Sequence, residues 1–243
     1  MDPSMNAGAN WWIRYRTPIK AALFPLSLGW AAANRYGWLG EPAIGSAPHL
    51  NPRALACWRE AMAHAKVYLE YGAGGSTVEA VQSAAHVVSV ETDGRYLAAV
   101  ARRVAGIAGR GAFHPVHVDI GWTSKWGQPV VTRRSSARLA RWRRYPSAPW
   151  AVLEKEGLVP DFIFVDGRFR LASVLESLLR LPDGSDCLIM FDDFEGRAAT
   201  YGRVLEFAED VQRLDGTIAF RRRRDFDRAQ CRRYLDSAQG DPF

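Results

Sequence analysis

Between residues 51 and 222, short apolar runs alternate with segments of helical periodicity, and this alternation constrains the fold more than any other feature. The predicted strands cover residues 67–70, 86–91, 113–120, 161–166, 187–191 and 217–222. The predicted helices cover residues 52–64, 76–84, 94–107, 171–181 and 201–213. Strands separated by helices need crossover connections, so they lie parallel in one sheet. The sequence therefore predicts an α/β fold with a Rossmann-like, doubly wound and mostly parallel sheet of about seven strands.

Composition divides the chain into three parts. We expect residues 1–50 to form an arm and linker, and residues 51–243 to form the α/β domain, which carries a basic insertion at about 121–160. No helix is predicted between the third and fourth strands, where this insertion lies. Eight of the nine tryptophans belong to the arm or the insertion. The arm is expected to pack on the domain or on a partner subunit of a homo-oligomer. Contact with a membrane surface and a secretory leader stay open as alternatives.

Cysteine usage and hydropathy exclude several classes of protein. The three cysteines are far apart and form no CxxC pair, which argues against a disulfide scaffold, a zinc knuckle and an iron–sulfur site. A reducing, cytoplasmic setting is therefore expected. The sequence holds no apolar run of about 18 residues, so it predicts no conventional membrane span.

The net charge of +6 is concentrated in two segments. Seven lysines and arginines, and no acidic residue, lie between Ile120 and Glu154, and seven arginines lie within residues 221–233. Two interpretations stay open: the segments meet an anionic partner, or they are a solvated basic surface. Arginines mixed with tryptophans suit an anionic, sugar-like or aromatic small molecule. A nucleic-acid partner is not expected, because no recognised nucleic-acid-binding module is present.

A glycine-rich turn links the first predicted strand of the alternation to the helix that follows it. The segment Glu70-Tyr-Gly-Ala-Gly-Gly-Ser-Thr77 has Gly72 and Gly74 where a chain must turn sharply or let a ligand approach. A dinucleotide-binding turn needs a further glycine at the position that Thr77 occupies, so a pyrophosphate site is disfavoured. Glu70 would repel a phosphate and attract an ammonium group. The turn therefore favours a ligand that carries an amino group.

The pattern E-x-G-x-G-G-S, with Glu91 closing the next strand, resembles the class I S-adenosylmethionine-dependent methyltransferases. The resemblance covers about residues 60–235 and implies S-adenosylmethionine as the cofactor. It implies that Glu70, Gly72 and Gly74 hold the methionine end, together with Ser76, which stands where the family often has a third glycine. It further implies that Glu91 binds the ribose and that Asp119 lies beside the adenine. Acids at strand ends also cap helices, which is the role expected for Asp93.

Three aspartates follow the fourth and fifth predicted strands and are expected at the ligand-binding edge of the sheet. Asp166, Asp192 and Asp193 resemble in placement the metal ligands of the catechol- and caffeoyl-CoA-type O-methyltransferases, which implies a Mg²⁺ site. Two features depart from that pattern. Asp193 stands where the subgroup has asparagine, and Arg168 follows Asp166 closely enough for a guanidinium to take the place of a metal.

Asp166 is the first candidate for removing a proton from an acceptor hydroxyl, and Asp192 is the second. His114 and His117 share a strand face but lack a third ligand, so a metal role for the pair is a weaker hypothesis. The sequence thus predicts methyl transfer to a small-molecule acceptor, at oxygen rather than nitrogen. Two alternatives stay open: a catalytically inactive methyltransferase-like binding protein, and a nucleotide-binding oxidoreductase.

Overall fold

The computed structural model describes residues 25–242, so the predictions for residues 1–24 lie outside the described part of the chain. Residues 25–35 are helical and are named α1 here. The remaining α-helices are α2 (Pro52–Met62), α3 (Gly75–Ala80), α4 (Gly94–Ala105), α5 (Ser136–Trp142), α6 (Arg144–Glu156), α7 (Arg170–Arg180), α8 (Ala198–Tyr201) and α9 (Arg228–Ala238). The strands are β1 (Val67–Tyr71), β2 (His86–Glu91), β3 (Ala112–His117), β4 (Phe162–Val165), β5 (Leu188–Phe191), β6 (Ala208–Leu214) and β7 (Thr217–Arg222). Short 3₁₀ segments cover Lys125–Gly127, Glu195–Arg197 and Gly202–Phe207.

The seven strands form one sheet in the order β3-β2-β1-β4-β5-β7-β6. The first five strands pair in parallel, whereas β7 runs antiparallel to β5 and β6. Strand order reverses between β1 and β4, and an open α/β sheet binds its ligands beyond the carboxyl ends of the strands at such a switch point. The predicted α/β class, the Rossmann-like sheet and the number of strands are confirmed.

Apolar cores cover both faces of the sheet. One face packs against Leu153 of α6, Leu175 of α7 and Leu235 of α9, and the other against helices α2 to α4. Asn51 caps α2 by accepting a hydrogen bond from the Ala54 N–H at 2.9 Å, as its sequence position indicated. Strands buried on both faces explain why β1 and β4 consist almost entirely of large side chains.

The α-helix predicted over residues 201–213 is wrong beyond its first residue, because residues 202–207 are 3₁₀ and residues 208–214 form edge strand β6. Asp215 and Gly216 connect β6 to β7 with φ angles of 52° and 109°. Two residues with positive φ form the turn type that matches the twist of a two-residue hairpin, and Asp-Gly is a strong sequence signal for it. The polar residues of β6 concealed the strand, since an edge strand has a solvated face.

The expectation that residues 121–160 lack a helix is also wrong. Helices α5 and α6 occupy much of this range, and α6 returns the chain from the end of β3 to the start of β4. Pro146 and Pro149 obscure the helical pattern. Pro146 lies in the first turn, where a proline removes only an N–H that has no helical partner, whereas Pro149 lies inside the helix. Trp150 and Leu153 of α6 are buried and three residues apart, as on one helix face, and Trp142 at the end of α5 is buried as well.

The segment that precedes α2 contacts the amino-terminal end of α3 and both ends of α4. Asn34 donates a hydrogen bond to Asp93 at 2.6 Å, and Arg102 pairs with Glu41 at 2.9 Å. A Cβ at Gly75 would overlap the carbonyl oxygen of Ala47. The segment therefore covers the glycine-rich turn. Among the described residues, no helix has the length and hydropathy needed to cross a membrane.

Candidate functional site

The glycine turn after β1 is locked against the loop after β4. Gly72 has φ +102°, a conformation that L residues rarely adopt, and its N–H donates to the carbonyl of Val90 at 2.9 Å. A Cβ on Gly72 would stand 2.9 Å from Gly167 Cα, and a Cβ on Gly167 would overlap Tyr145 Oη. Both positions therefore require glycine, and the two loops form one floor at the switch point of the sheet.

Gly74 faces more open space than its neighbours in the turn. The nearest atom to a Cβ at this position would be Tyr96 Oη, at 3.5 Å. The Gly74 N–H donates to Thr77 Oγ1 at 2.9 Å, which closes the turn onto α3. Tyr96, which is not among the predicted site residues, thus lies opposite Gly74. The space between them is named the cradle here.

Glu70 lies beneath the turn and is completely buried. Its carboxylate accepts hydrogen bonds from the hydroxyls of Ser76 at 2.7 Å and Tyr68 at 3.1 Å, and from those of Thr77 and Ser89. Burial raises the pKa of Glu70, and the four hydroxyl donors oppose that shift. The carboxylate and Ser76 therefore support the turn from below.

Glu91 lies at the end of β2, next to the glycine turn. Its Oε1 accepts hydrogen bonds from the N–H of Thr92 at 2.6 Å, the N–H of Asp93 at 3.0 Å and the Thr92 hydroxyl at 2.9 Å. Oε2 has no hydrogen bond with any described residue. Burial raises the pKa of Glu91, while the backbone N–H groups of Asp93 and Thr92 oppose the shift. One carboxylate oxygen of a rigidly held side chain is thus left for a ligand.

Asp119 follows β3 and is exposed. Its Oδ1 accepts a hydrogen bond from the Gly121 N–H at 2.8 Å, and its Oδ2 lies 3.9 Å from Arg141. Asp119 also lines a pocket of about 290 Å³ between the ends of β2 and β3. Thr92, Asp93 and the helical residues Ala31 and Asn34 of α1 line the same pocket. Asp119 therefore lines one cavity with Thr92 and Asp93, the two residues that follow Glu91, and α1 contributes to its wall.

The three aspartates after β4 and β5 converge on one guanidinium group. Arg170 Nη2 lies 2.7 Å from Asp166 Oδ1, and Arg170 Nη1 lies 2.8 Å from Asp193 Oδ2 and 3.7 Å from Asp192 Oδ2. Asp192 also accepts a hydrogen bond from the Thr217 hydroxyl at 2.6 Å. Arg170 is itself buried. The arginine that neutralises the cluster is therefore Arg170, at the start of α7, rather than Arg168.

This arrangement does not fit a divalent cation. Within residues 25–242, no group of three or more His, Cys, Asp or Glu side chains is placed to hold a metal ion. The guanidinium of Arg170 stands between the carboxylates that were expected to ligate Mg²⁺. His114 and His117 are also separated, since His114 faces His86 at 3.5 Å and His117 faces the Thr92 carbonyl at 3.3 Å.

Asp166 has an unusual proton affinity for an aspartate. Burial raises its pKa to about 7, with Asp192 and Asp193 acting in the same direction and Arg170 opposing them. A carboxyl group with this pKa exchanges its proton near neutral pH, as a general base does. A third of the Asp166 side chain is exposed, compared with 18% for Asp192. Asp166 is the more accessible of the two candidates for proton transfer.

The insertion is tied to the floor of the site through aromatic side chains. Tyr145 donates a hydrogen bond to the Val90 carbonyl at 3.3 Å, and Trp142 donates to the Ile120 carbonyl at 3.2 Å. The turn at Lys125–Gly127 covers the end of β2, where the Thr92 hydroxyl shares its proton between Glu91 Oε1 and the Gly127 carbonyl, the latter at 3.0 Å. The insertion therefore lies at the ligand edge of the sheet.

Comparison with known proteins gives a fold match and one relative of moderate similarity. No protein-family model matches the chain, and no curated protein matches it. A solved structure of a methyltransferase-like protein from Silicibacter pomeroyi aligns with a TM-score of 0.69 and 29% identity, over 82% of this chain and 100% of that one. An O-methyltransferase from Bacillus cereus in complex with SAH aligns more distantly, with a TM-score of 0.44 and 14% identity over 83% and 91% of the two chains.

The strand order, the glycine turn and the similarity to the Silicibacter protein agree with one another. The more distant alignment adds nothing to that agreement. The resemblance that the sequence indicated is therefore confirmed: this chain has the fold of the class I methyltransferases and is similar to a methyltransferase-like protein.

Proposed function

We propose that the protein is an S-adenosylmethionine-dependent methyltransferase that acts on a small-molecule acceptor, at oxygen. The observation that carries the proposal is the juxtaposition, on one sheet edge, of the glycine floor, the spare oxygen of Glu91 and the carboxyl group of Asp166. The similarity to a methyltransferase-like protein over the whole length of that protein supports it.

The residues present fit this cofactor. Gly74 presents an open cradle that a Cβ would fill, and Glu91 has one carboxylate oxygen free of protein partners to accept hydrogen bonds from ribose hydroxyls. Asp119 lines the adjacent pocket, where it would lie beside the adenine. Glu70 and Ser76 would act from beneath, by holding the turn in place. When bound, S-adenosylmethionine supplies a methyl group activated by its sulfonium sulfur.

Asp166 and Asp192 serve the acceptor side. A hydroxyl acceptor must lose its proton as it attacks, and Asp166, with a pKa of about 7, takes that proton at its carboxylate. Arg170 holds Asp166 Oδ1 at 2.7 Å and so fixes the orientation of the base. Asp192, which accepts a hydrogen bond from the Thr217 hydroxyl, is the second candidate for the base. The insertion covers the end of β2, where it would shield the ribose side of the site from water.

Isothermal titration with S-adenosylhomocysteine tests the cofactor assignment. We expect the wild-type chain to bind, and Glu91→Gln to bind about tenfold or more weakly, because a ribose hydroxyl loses a charged acceptor. Glu60→Gln, an exposed change on α2, is the matched control and should bind like the wild type. Absence of binding by the folded wild type would overturn the proposal. Binding of NADH instead would favour the oxidoreductase alternative.

Release of S-adenosylhomocysteine from S-adenosylmethionine, measured over a panel of phenols, alcohols and amines, tests the reaction. Asp166→Asn should lose most of the turnover with hydroxyl acceptors while it still binds S-adenosylhomocysteine. Wild-type kcat/KM should rise as pH increases through about 7, since the base must be deprotonated. Turnover with amines alone would contradict the assignment of oxygen.

A further inference from the structure

Arg168 is a buried cation whose guanidinium has no partner among the residues that the structure describes. Its side chain is 8% exposed, and its Nε is shielded from solvent with no hydrogen-bond partner. Within residues 25–242, none of the side-chain hydrogen bonds or ion pairs involves the Arg168 guanidinium. Arginine almost never occupies such a position unless it is paired. The two flanking charged residues, Asp166 and Arg170, pair with each other and leave Arg168 aside.

The backbone around Arg168 is tightly constrained. Gly167, on one side, is packed against Gly72 and Tyr145 so closely that no Cβ fits. Phe169, on the other side, has φ +51° and is buried against the ring of Tyr145, with centroids 5.5 Å apart. A bulky residue at positive φ costs about 1–2 kcal/mol and persists only where the surroundings enforce it. The loop therefore fixes Arg168 at the carboxyl end of β4, beside the proposed base.

The electrostatic surroundings of Arg168 are unfavourable without a bound anion. Burial and the nearby charge of Arg170 lower its pKa, and Arg197 acts in the same direction. Glu91 and Tyr145 oppose the shift, but neither forms an ion pair or hydrogen bond with the guanidinium. The aspartates that could have neutralised it are occupied by Arg170. An anion placed here would offset the burial of the charge, which is how arginine binds carboxylate and phosphate groups.

We propose that Arg168 binds an anionic group, a carboxylate or a phosphate, carried by the methyl acceptor. The inference rests on the proposed function for the identity of the acceptor, but the anion site itself does not. Arg168 lies in the loop after β4, two residues beyond Asp166, and this loop packs against the cofactor turn at Gly72. A guanidinium at this place would orient the acceptor so that its hydroxyl faces Asp166.

Titration of the full chain with inorganic phosphate and with benzoate, each with and without S-adenosylhomocysteine, tests the site. We expect at least one of the two anions to bind the wild type, and Arg168→Met to bind it about tenfold or more weakly. The choice between the two anions identifies the acceptor as a phosphate or a carboxylate compound. Arg232→Met, an exposed change on α9, is the control and should retain the wild-type affinity. Equal affinity in wild type and Arg168→Met, or no binding of either anion, would overturn the proposal.

Thermal unfolding provides an independent measurement. Without anions, Arg168→Met should raise Tm by roughly 2–4 °C, because it removes an unpaired buried charge while keeping the packing of the side chain. A structural arginine predicts the opposite, a fall in Tm. Arg168→Lys keeps the charge but loses the planar fork, so it should bind the anion more weakly without the rise in Tm.

Affinity for S-adenosylhomocysteine separates the two proposals. Arg168→Met should bind it within about threefold of wild type. A much larger loss would assign Arg168 to the carboxylate of the cofactor and overturn the acceptor assignment. Failure of the wild type itself to bind S-adenosylhomocysteine, with anion affinity still lost in Arg168→Met, would remove the methyltransferase proposal and leave the anion site.

Discussion

Acidic side chains lie at the strand ends on both halves of the carboxyl edge of the sheet, the β1–β2 half and the β4–β5 half. The groups that hold these acids differ between the two halves. On the β1–β2 half, Glu70 and Glu91 accept hydrogen bonds only from neutral donors, namely hydroxyl groups and backbone N–H groups. On the β4–β5 half, Asp166 and Asp193 are held by the cationic side chain of Arg170. Neutral donors position a carboxylate without cancelling its charge, whereas a guanidinium cancels it.

The difference explains why similar residues at similar positions can do different chemistry. A fixed, charged Glu91 suits a neutral hydroxyl donor such as a sugar. On the other half, burial raises the pKa of Asp166 to about 7, and the neighbouring carboxylates of Asp192 and Asp193, which share the one cation, act in the same direction. A proton that exchanges near neutrality suits catalysis rather than binding. The partners of an acid, more than its place on the sheet, therefore separate the cofactor half from the acceptor half.

The strongest test of this difference between the two halves is to remove Arg170, the cation that the three aspartates share. Arg170→Gln leaves three carboxylates together without a counter-ion, and we expect a loss of about 3 kcal/mol of unfolding free energy at pH 8. Thermal or denaturant unfolding measures it. The loss should shrink towards pH 5, where Asp166 is protonated. Arg197→Gln is the control, because Arg197 is partly exposed and lies 3.6 Å from Asp193 alone. Equal losses in the two variants would contradict the central role of Arg170.

A smaller loss of unfolding free energy is expected when the contact between the glycine turn after β1 and the loop after β4 is disturbed. Gly72→Ala combines a φ of +102° with a Cβ 2.9 Å from Gly167 Cα, so we expect a loss of about 2–3 kcal/mol. Gly184→Ala is the control, because Gly184 also has positive φ but nothing lies within 4 Å of its Cβ. It should lose only about 1 kcal/mol. If the two substitutions had equal effects on urea unfolding, the contact between the loops would contribute nothing.

The alternation of apolar runs and helical segments was enough to predict the sheet and the edge at which the acids gather. Strand β2 agrees with its prediction at both ends, since His86–Glu91 is a buried apolar run with clear boundaries. Strand β6 was missed because an edge strand carries polar residues on its solvated face. Helix α6 was missed because it contains two prolines, Pro146 and Pro149, which weaken the helical pattern. In both segments the secondary structure depends on packing against residues that are distant in the sequence.

The residues that gather at the site were easier to predict than the ion pairs that they form. The sequence places Asp166, Asp192 and Asp193 together, because the ends of β4 and β5 are adjacent in a parallel sheet. Which cation neutralises them depends on how the loop after β4 turns, and Phe169 turns it by adopting positive φ. That conformation sends Arg170 rather than Arg168 to the carboxylates. A local sequence pattern does not reveal such a turn at a bulky residue.

The pKa of Asp166 gives a test with a defined sign. The pKa in the folded protein, about 7, lies above the ordinary value of 3.8, so the stability linked to this group is fully present below pH 3.8 and is lost as pH rises towards 7. Asp166→Asn should therefore be more stable than wild type at pH 8, by of order 1 kcal/mol after allowance for the exposed third of the side chain. The difference should narrow by pH 4. A variant less stable at pH 8 than at pH 4, relative to wild type, would refute the raised pKa.

The smallest effect is expected from Glu70→Gln, and it distinguishes support of the turn from contact with the cofactor. The buried amide can still accept hydrogen bonds at one end, and the neighbouring hydroxyls can rotate to accept at the other. We therefore expect affinity for S-adenosylhomocysteine within about threefold of wild type, less than 0.7 kcal/mol. Glu91→Gln, by contrast, changes an oxygen that is free for the ligand. If titration showed the larger loss in Glu70→Gln, Glu70 would reach the cofactor directly, and the two acids of this half would have exchanged roles.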